Sequence, residues 1–308
     1  MGELKWEWRG EFDKTREMKL GVMLVNNNEQ ARVARLLDQL VGVAGKIELE
    51  VFLLDNGCQA RETTKGILVR YKLPISYEAS DEALKFAAAY NGLFAKAKLA
   101  GCDWVWLLEK VVSVRVESWK FLERMGKEGF GVVGGGVAGL NRHRAEWWAG
   151  QFMVARTGEG PSWQTDRVGK SGMLVKLSVY GKLKFDGGYY QEMEEWDFCE
   201  RARALGAKVG RVGSYSVRIK QTGGDGFQDA YFWGRNPGLL AYKRARDRDA
   251  VLARVPKTVW VWWWLLVFWV GKKDVNLLAS FGSGVGDGVK LMWERFRSPS
   301  STSLWKSR

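Results

Sequence analysis

One histidine, His143, occurs in 308 residues. That scarcity excludes a histidine-rich metal site and makes any Ser-His-Asp arrangement depend on a single residue. Three cysteines, Cys58, Cys102 and Cys199, are too few for a disulfide scaffold, and their odd number fits a reducing compartment. The opening MGELKWEWRGEFDK has no apolar core of the kind a secretory leader carries. No uninterrupted apolar run reaches the roughly 20 residues that a bilayer-spanning helix needs. The glycines of GGGVAG are not followed by Lys-Ser or Lys-Thr, which excludes a phosphate loop. There is no internal repeat and no nucleic-acid-binding motif. Acidic residues are outnumbered, 35 against 48 Lys and Arg, for a net charge of +13.

What is present is globular. Hydrophobic residues make up 46% of the chain and charged residues 27%, enough for a sizeable buried core. Residues 1–18 are charged with scattered aromatics and read as a surface arm. KLGVMLV (Lys19–Val25) is a short apolar run with the pattern of a buried strand. Val33, Leu36, Leu37, Leu40 and Val41 then recur on one helical face. IELEVFLL (Ile47–Leu54) is a second strand, residues 82–99 a second helix, and DWVWLL (Asp103–Leu108) a third strand. Strand, helix, strand, helix, strand implies a parallel sheet with crossover helices. Beyond it, Gly131–Gly139 is strand-like but glycine-rich, residues 141–170 read as irregular loop and short strands, and Met173–Val175 as a strand. Residues 192–205 read as a helix and Lys208–Val212 as the last strand.

The end of the chain differs. From Lys243 to Arg308 there are 13 Lys and Arg against 5 Asp and Glu, so most of the net charge lies there, with 7 of the 17 tryptophans. VWVWWWLLVFWV (Val259–Val270) is flanked by Lys257 and by Lys272-Lys273. As a helix it would be about 18 Å long, short of a bilayer core of about 30 Å. Tryptophan prefers the membrane interface and lysine favours anionic headgroups, so an in-plane peripheral anchor is expected, with a core helix or homodimer contact as rival. Concentration of charge in this tail argues against a nucleic-acid partner.

In an open parallel sheet, ligands bind at the carboxyl ends of the strands. Here those ends carry Asn26–Asn28, Asp55-Asn56-Gly57 and Glu109-Lys110. A strand-end Asp can accept a hydrogen bond from a base or ribose; Asp-Asn-Gly is equally good turn chemistry. Glu194, Glu195 and Asp197 form an acidic cluster that is either a proton-accepting site or a helix start favoured by the dipole, with Asp197 and Arg201 spaced for an ion pair. Arg235 could fork onto a diphosphate, or be an ordinary surface Arg. His143, in a basic loop, either is solvated or faces a substrate.

LVNNN, then a helix, then VFLLDNGC resembles the opening of the family 2 glycosyltransferases, which have the GT-A fold. AAAYNG is similar to that family's helix bearing a conserved Asn, at Asn91 here. WVWLLEKVVSV lies where the family has its Asp-x-Asp, SGMLVK is similar to a following strand motif, and FDGGYYQEMEEWDFCERARALG lies on the acidic catalytic segment. FWGRNPGLLAYKR looks like a segment of rhamnosyltransferase-type members. The ordered series covers residues 19–246. It implies an α/β, GT-A-type domain with a mostly parallel sheet over 19–246, behind an arm at 1–18 and before a helical, basic, Trp-rich extension at 247–308.

The resemblance also implies function. The donor would be a nucleotide-diphosphate sugar, contacted by Asn26, Asn28, Asp55, Asn91, Glu109, Lys110 and Arg235. Glu195 would be the general base of an inverting displacement, beside Glu194 and Asp197. The family's Mn2+ or Mg2+ would find only Glu109 as an oxygen ligand, because Glu109-Lys110-Val111 replaces Asp-x-Asp and Lys220 or Gln221 stands where the family has a late His. Lys110 could offset phosphate charge instead. The expectation is a cytoplasmic, peripherally membrane-associated hexosyltransferase acting on a glycan or lipid-linked acceptor. The alternative is a catalytically inactive relative that binds a nucleotide or glycan.

Overall fold

The computed structural model describes residues 18–137, 162–190, 192–219, 226–245, 248–271 and 273–297. They divide into two compact units. The first runs to Phe185 and resumes over Phe198–Lys220; the second comprises Asp186–Asp197 and the chain from Gln221 onward.

The first unit is built on one sheet. Strands β1 (Lys19–Asn26), β2 (Glu48–Asn56), β3 (Ile75–Ser80), β4 (Trp104–Leu108), β5 (Val111–Val116), β6 (Phe130–Val137), β7 (Ser162–Gln164), β8 (Ser171–Lys176) and β9 (Lys208–Ile219) are ordered β3-β2-β1-β4-β8-β6-β9-β5, with β7 paired to β9. The strands from β3 to β4 are parallel, as is β6 to β9. The pairings β4–β8, β6–β8, β5–β9 and β7–β9 are antiparallel, so the sheet is mixed. Helices α1 (Gln30–Ala44), α2 (Arg61–Leu68), α3 (Phe86–Leu99), α4 (Lys120–Lys127) and the single turn α5 (Leu177–Tyr180) complete it.

Alternation along β1 explains the layers. Leu20, Val22 and Leu24 pack with Val33, Leu36, Leu37 and Leu40 of α1, while Met23 and Val25 join Tyr90, Phe94 and Ala97 of α3. A strand apolar on both faces belongs in the middle of a sheet covered on both sides. The expected helix 82–99 starts later, at Phe86, and α2 and β3 precede it where the sequence reading had no elements.

The second unit is helical: α7 (Gly226–Arg244), α8 (Arg248–Gly271) and α9 (Val275–Arg297), with a 3-10 turn at Gly187–Tyr189. Helix α6 (Glu194–Ala204) begins in this unit and continues into the first. α8 extends the tryptophan run into 24 residues, Pro256 included. By length and composition alone its Arg248–Val267 stretch could cross a membrane. Counting uninterrupted apolar residues missed this, because Arg254, Pro256 and Lys257 break the run but not the helix. α8 turns one side inward, with Val261 and Leu265 buried and Trp262 Nε1 donating to Gly234 O at 2.6 Å. The opposite stripe, Leu252, Val259, Trp260, Trp263, Leu266, Val267 and Val270, is exposed, Trp263 by 57%.

Candidate donor site and acidic turn

At the carboxyl edge of the first unit, Asn26 and Asp55 are register partners on adjacent strands. Both are fully buried, and Asn26 Nδ2 donates to Asp55 Oδ1 at 2.6 Å. Thr64 Oγ1 of α2 donates to the same oxygen at 3.3 Å, and Tyr77 of β3 donates to Asp55 Oδ2 at 2.9 Å. Burial, and then this bond to Asp55, push the Tyr77 phenol up to about 12. Both Asp55 oxygens thus tie β1, β2, β3 and α2 together. Asn26 and Asp55, both expected to contact the donor, form in this arrangement the floor of the edge.

Its rim is Asn27 and Asn28, both exposed. Asn28 sits at φ 59°, a left-handed position that asparagine tolerates. Its N–H donates to Cys58 Sγ at 3.1 Å and its Oδ1 accepts from Gln59 N at 3.0 Å. The Cys58 thiol donates to Asn26 O at 2.9 Å, and burial pushes its pKa up, so it is a clamp between two loops rather than a nucleophile.

The β4–β5 turn carries Glu109 and Lys110, both half-buried. Glu109 Oε2 accepts from Tyr90 of α3 at 2.9 Å, and burial followed by that carboxylate raises the Tyr90 pKa well above normal. Lys110 is at φ 53°. Val111, where the family's second metal-binding acid would stand, is fully buried. The turn is held from beneath by Arg32. Its guanidinium donates to Leu108 O at 3.3 Å, Val111 O at 3.4 Å and Val25 O at 2.5 Å, and pairs with Glu29 at 2.7 Å. Sequence reasoning missed Arg32, although a charged residue beside the buried stripe of α1 was the available signal.

Asn91 is engaged with the peptide of Phe185. Its Nδ2 donates to Phe185 O at 2.9 Å and its Oδ1 accepts from Phe185 N at 3.0 Å and from the Tyr180 hydroxyl. It fixes the chain just ahead of the acidic segment.

In the second unit, Tyr190, Glu192 and Met193 all have left-handed backbones, at φ 64°, 63° and 68°. Such clustering of strain in non-glycine residues is a mark of functional segments. Asn236 of α7 holds the segment, donating to Tyr189 O at 3.3 Å and Glu192 O at 2.9 Å. Glu194 and Glu195 follow in the first turn of α6, both buried, Glu195 with 6% exposure. Asp197 is fully buried, ion-paired with Arg244 and accepting from Tyr189 Oη at 3.2 Å. Arg244 is on α7, and Arg201 donates to Lys184 O at 2.6 Å. Arg235 is half-buried and donates to Asn236 Oδ1 at 3.2 Å. His143, Lys220 and Gln221 lie outside the described residues.

At the strand end, the described residues do not fit a divalent metal. Among the described residues no three His, Cys, Asp or Glu side chains are grouped so as to hold a metal ion. At the strand end Glu109 stands beside a cation and an apolar residue, and its carboxylate already accepts from Tyr90.

No family model matches the chain, and no curated protein matches it by sequence. Solved structures do match. Staphylococcus aureus TarS 1–349 in complex with UDP-GlcNAc superposes with a TM-score of 0.55 at 12% identity, over 90% of this chain and 82% of that one. The mannosyltransferase PcManGT from Pyrobaculum calidifontis, in complex with GDP-Man and Mn2+, gives 0.54 at 12% identity over 99% and 92%. GalNAc-T7 with UDP, GalNAc and Mn2+ gives 0.54 at 11% over 74% and 52%, so the chain spans about half of that protein. It spans 64% of a TarS 1–349 chain with UDP bound. The mixed sheet flanked by helices is the GT-A glycosyltransferase fold.

Proposed function

We propose that the protein is an inverting glycosyltransferase that moves a hexose from a nucleotide-diphosphate donor to a glycan or lipid-linked acceptor at a membrane surface. The observation that carries this is the GT-A sheet with its polar carboxyl edge, Asn26–Asn28, Asp55 and Glu109-Lys110, on β1, β2 and β4. TarS with UDP-GlcNAc and PcManGT with GDP-Man support the donor class. The rhamnosyltransferase-type resemblance of FWGRNPGLLAYKR rests on sequence alone.

In this reading Glu195 takes the proton of the acceptor hydroxyl as the new C–O bond forms. The nucleoside diphosphate leaves from the opposite side, which inverts the anomeric carbon. Arg235 is assigned to the diphosphate, Glu194 is the helix-start acid beside the base, and Asp197 is a positioning residue. A divalent ion, when bound by such enzymes, supplies charge to the leaving diphosphate; no step here is routed through one. The lost metal acid favours a second reading, a GT-A-like nucleotide or glycan binder without turnover.

The exposed stripe of α8, with Val289 and Trp293 of α9 and the cations Lys257, Lys273 and Arg297, suits an anionic membrane surface on its cytoplasmic side. The free state of the three cysteines agrees with that compartment. A homodimer through the same stripe is the rival.

The test is a thermal-shift panel of UDP-, GDP- and dTDP-sugars, followed by product analysis with wild type and Glu195→Gln. A selective shift with turnover lost in the variant supports the enzyme; a shift without turnover supports the binder. Flotation with phosphatidylglycerol vesicles supports the anchor, whereas dimerisation without flotation replaces it.

A further inference from the structure

Resting on the nucleotide-diphosphate reading above, we infer that this chain binds the diphosphate without a divalent ion, with the Lys110 ammonium supplying the charge. Three observations on the β4–β5 turn carry the inference.

The first is the charge balance of the turn. A metal between the strand end and a diphosphate needs several oxygen ligands. This turn offers one carboxylate, and Glu109 Oε2 is already an acceptor for the buried Tyr90 hydroxyl. The next side chain is a cation, which would repel a bound metal, and the one after is a fully buried valine.

The second is the state of Lys110. It is half-buried, yet among the described residues no acidic group lies within the 4.0 Å of an ion pair. Other lysines of this chain do pair with acids, as Lys19 does with Glu50 at 2.8 Å and Lys96 with Glu78 at 2.6 Å. On a half-buried lysine, an ammonium with no counter-charge is open to an anion.

The third is that the turn is built rather than loose. Arg32 spans it by donating to the carbonyls on both sides, Leu108 O and Val111 O, and Tyr90 fixes Glu109. Lys110 between them is held at φ 53°. A lysine on a floppy loop would relax out of that conformation; here its flanks determine it. The turn closes β4, the parallel neighbour of β1, whose end carries the exposed Asn27 and Asn28. The cation therefore stands on the same carboxyl edge as the rest of the donor site.

The experiment is titration calorimetry of the full-length protein with UDP, GDP, dTDP and the matching nucleosides. Each is measured in EDTA and again with excess Mn2+. Expected are a diphosphate that binds in EDTA, little change on adding Mn2+, and a diphosphate-over-nucleoside advantage that falls by about tenfold to a hundredfold in Lys110→Gln. Lys110→Arg should restore most of it. Thermal melts of each variant confirm folding. Binding that requires Mn2+ and is lost in Glu109→Gln overturns the inference and leaves the donor reading standing. Metal-free binding that Lys110→Gln does not weaken overturns the role of Lys110. No binding of any nucleotide overturns the donor reading itself, and this inference with it.

Discussion

The carboxamide of Asn91 pairs with both polar atoms of the Phe185 peptide, donating to its carbonyl at 2.9 Å and accepting from its N–H at 3.0 Å. A helix side chain thereby captures a loop 94 residues away in the way a strand would. The Tyr180 hydroxyl adds a third bond, and Phe94 stacks on the Tyr180 ring at 3.5 Å. Asn91→Ala would leave the peptide and the phenol to find other partners. Its expected cost is about 2–3 kcal/mol, at roughly 1 kcal/mol for each bond lost. Asn91→Asp keeps the acceptor but turns a negative oxygen on Phe185 O, and it should not rescue stability. Urea unfolding of the two variants measures this; a change below about 0.5 kcal/mol for Asn91→Ala would sink the assignment.

Alkaline pH should loosen the first unit in a defined window. Tyr77 and Tyr71 are both pushed up to about 12, by burial first and then by donating to Asp55 and Asp38. An unfolded tyrosine loses its proton near 10. Between those values the folded state holds more protons than the unfolded one, so stability falls as pH rises from about 10 to about 12. Below about 10 the contribution is fully present. Tyrosinate absorbance should show a late-titrating fraction, and Tyr77→Phe should remove part of it and flatten the stability slope. That variant also leaves buried Asp55 Oδ2 without its donor, at a cost of about 1–3 kcal/mol near neutral pH.

Close approach of two helices makes a sharper prediction. A Cβ on Gly238 of α7 would lie 2.3 Å from Gly288 O, and one on Gly284 of α9 would lie 2.0 Å from Tyr231 O. Gly234 and Gly288 complete the facing pairs at four-residue spacing, which lets two helix backbones touch. Gly282 and Gly286 of the same α9 have nothing within 4 Å of such a Cβ. Gly284→Ala and Gly238→Ala should therefore destabilise by more than about 2 kcal/mol. Gly282→Ala and Gly286→Ala should be neutral or stabilising by about 0.5–1 kcal/mol, through helix propensity alone. Melting the four variants side by side tests the packing, and equal effects would refute it.

These contacts also explain which parts of the molecule could be read in advance. β1, α1, β2 and β4 were legible because Leu20, Val22, Leu24, Val33 and Leu36 obey a period of two or of 3.6, which sequence displays directly. β5 and the antiparallel pairings were not. Val111–Val116 follows β4 with only the Glu109-Lys110 turn between, and its partner β9 lies about a hundred residues on. The alternate glycines of α9 look like loop chemistry until their partners on α7 are known. At the site, motif order located Asn26, Asp55 and Glu109 correctly on strand ends. It could not tell that Asp55 spends both oxygens on neighbours, or that Asn91 serves a peptide, because side-chain partners distant in sequence leave no local signature.

The acidic cluster should separate stability from turnover within three positions. Asp197 is fully buried against Arg244, whose pKa burial pulls down to about 10, and Tyr189 donates to it. Asp197→Asn strands a buried guanidinium without its counter-charge, and removing one member of such a pair costs about 3–5 kcal/mol. The double change Asp197→Leu with Arg244→Met removes both charges and should cost less than either single change. Glu195→Gln keeps size and hydrogen-bonding capacity, so its melting temperature should stay near that of wild type. If Glu195 is the base, turnover of the nucleotide sugar identified by the thermal-shift panel falls by about a hundredfold or more. The affinity for the nucleoside diphosphate stays the same, because the base acts on the acceptor. Full turnover in Glu195→Gln would remove it from the chemistry. A destabilised Glu195→Gln beside a tolerant Asp197→Asn would reverse the two roles, making Glu195 the structural acid of the turn.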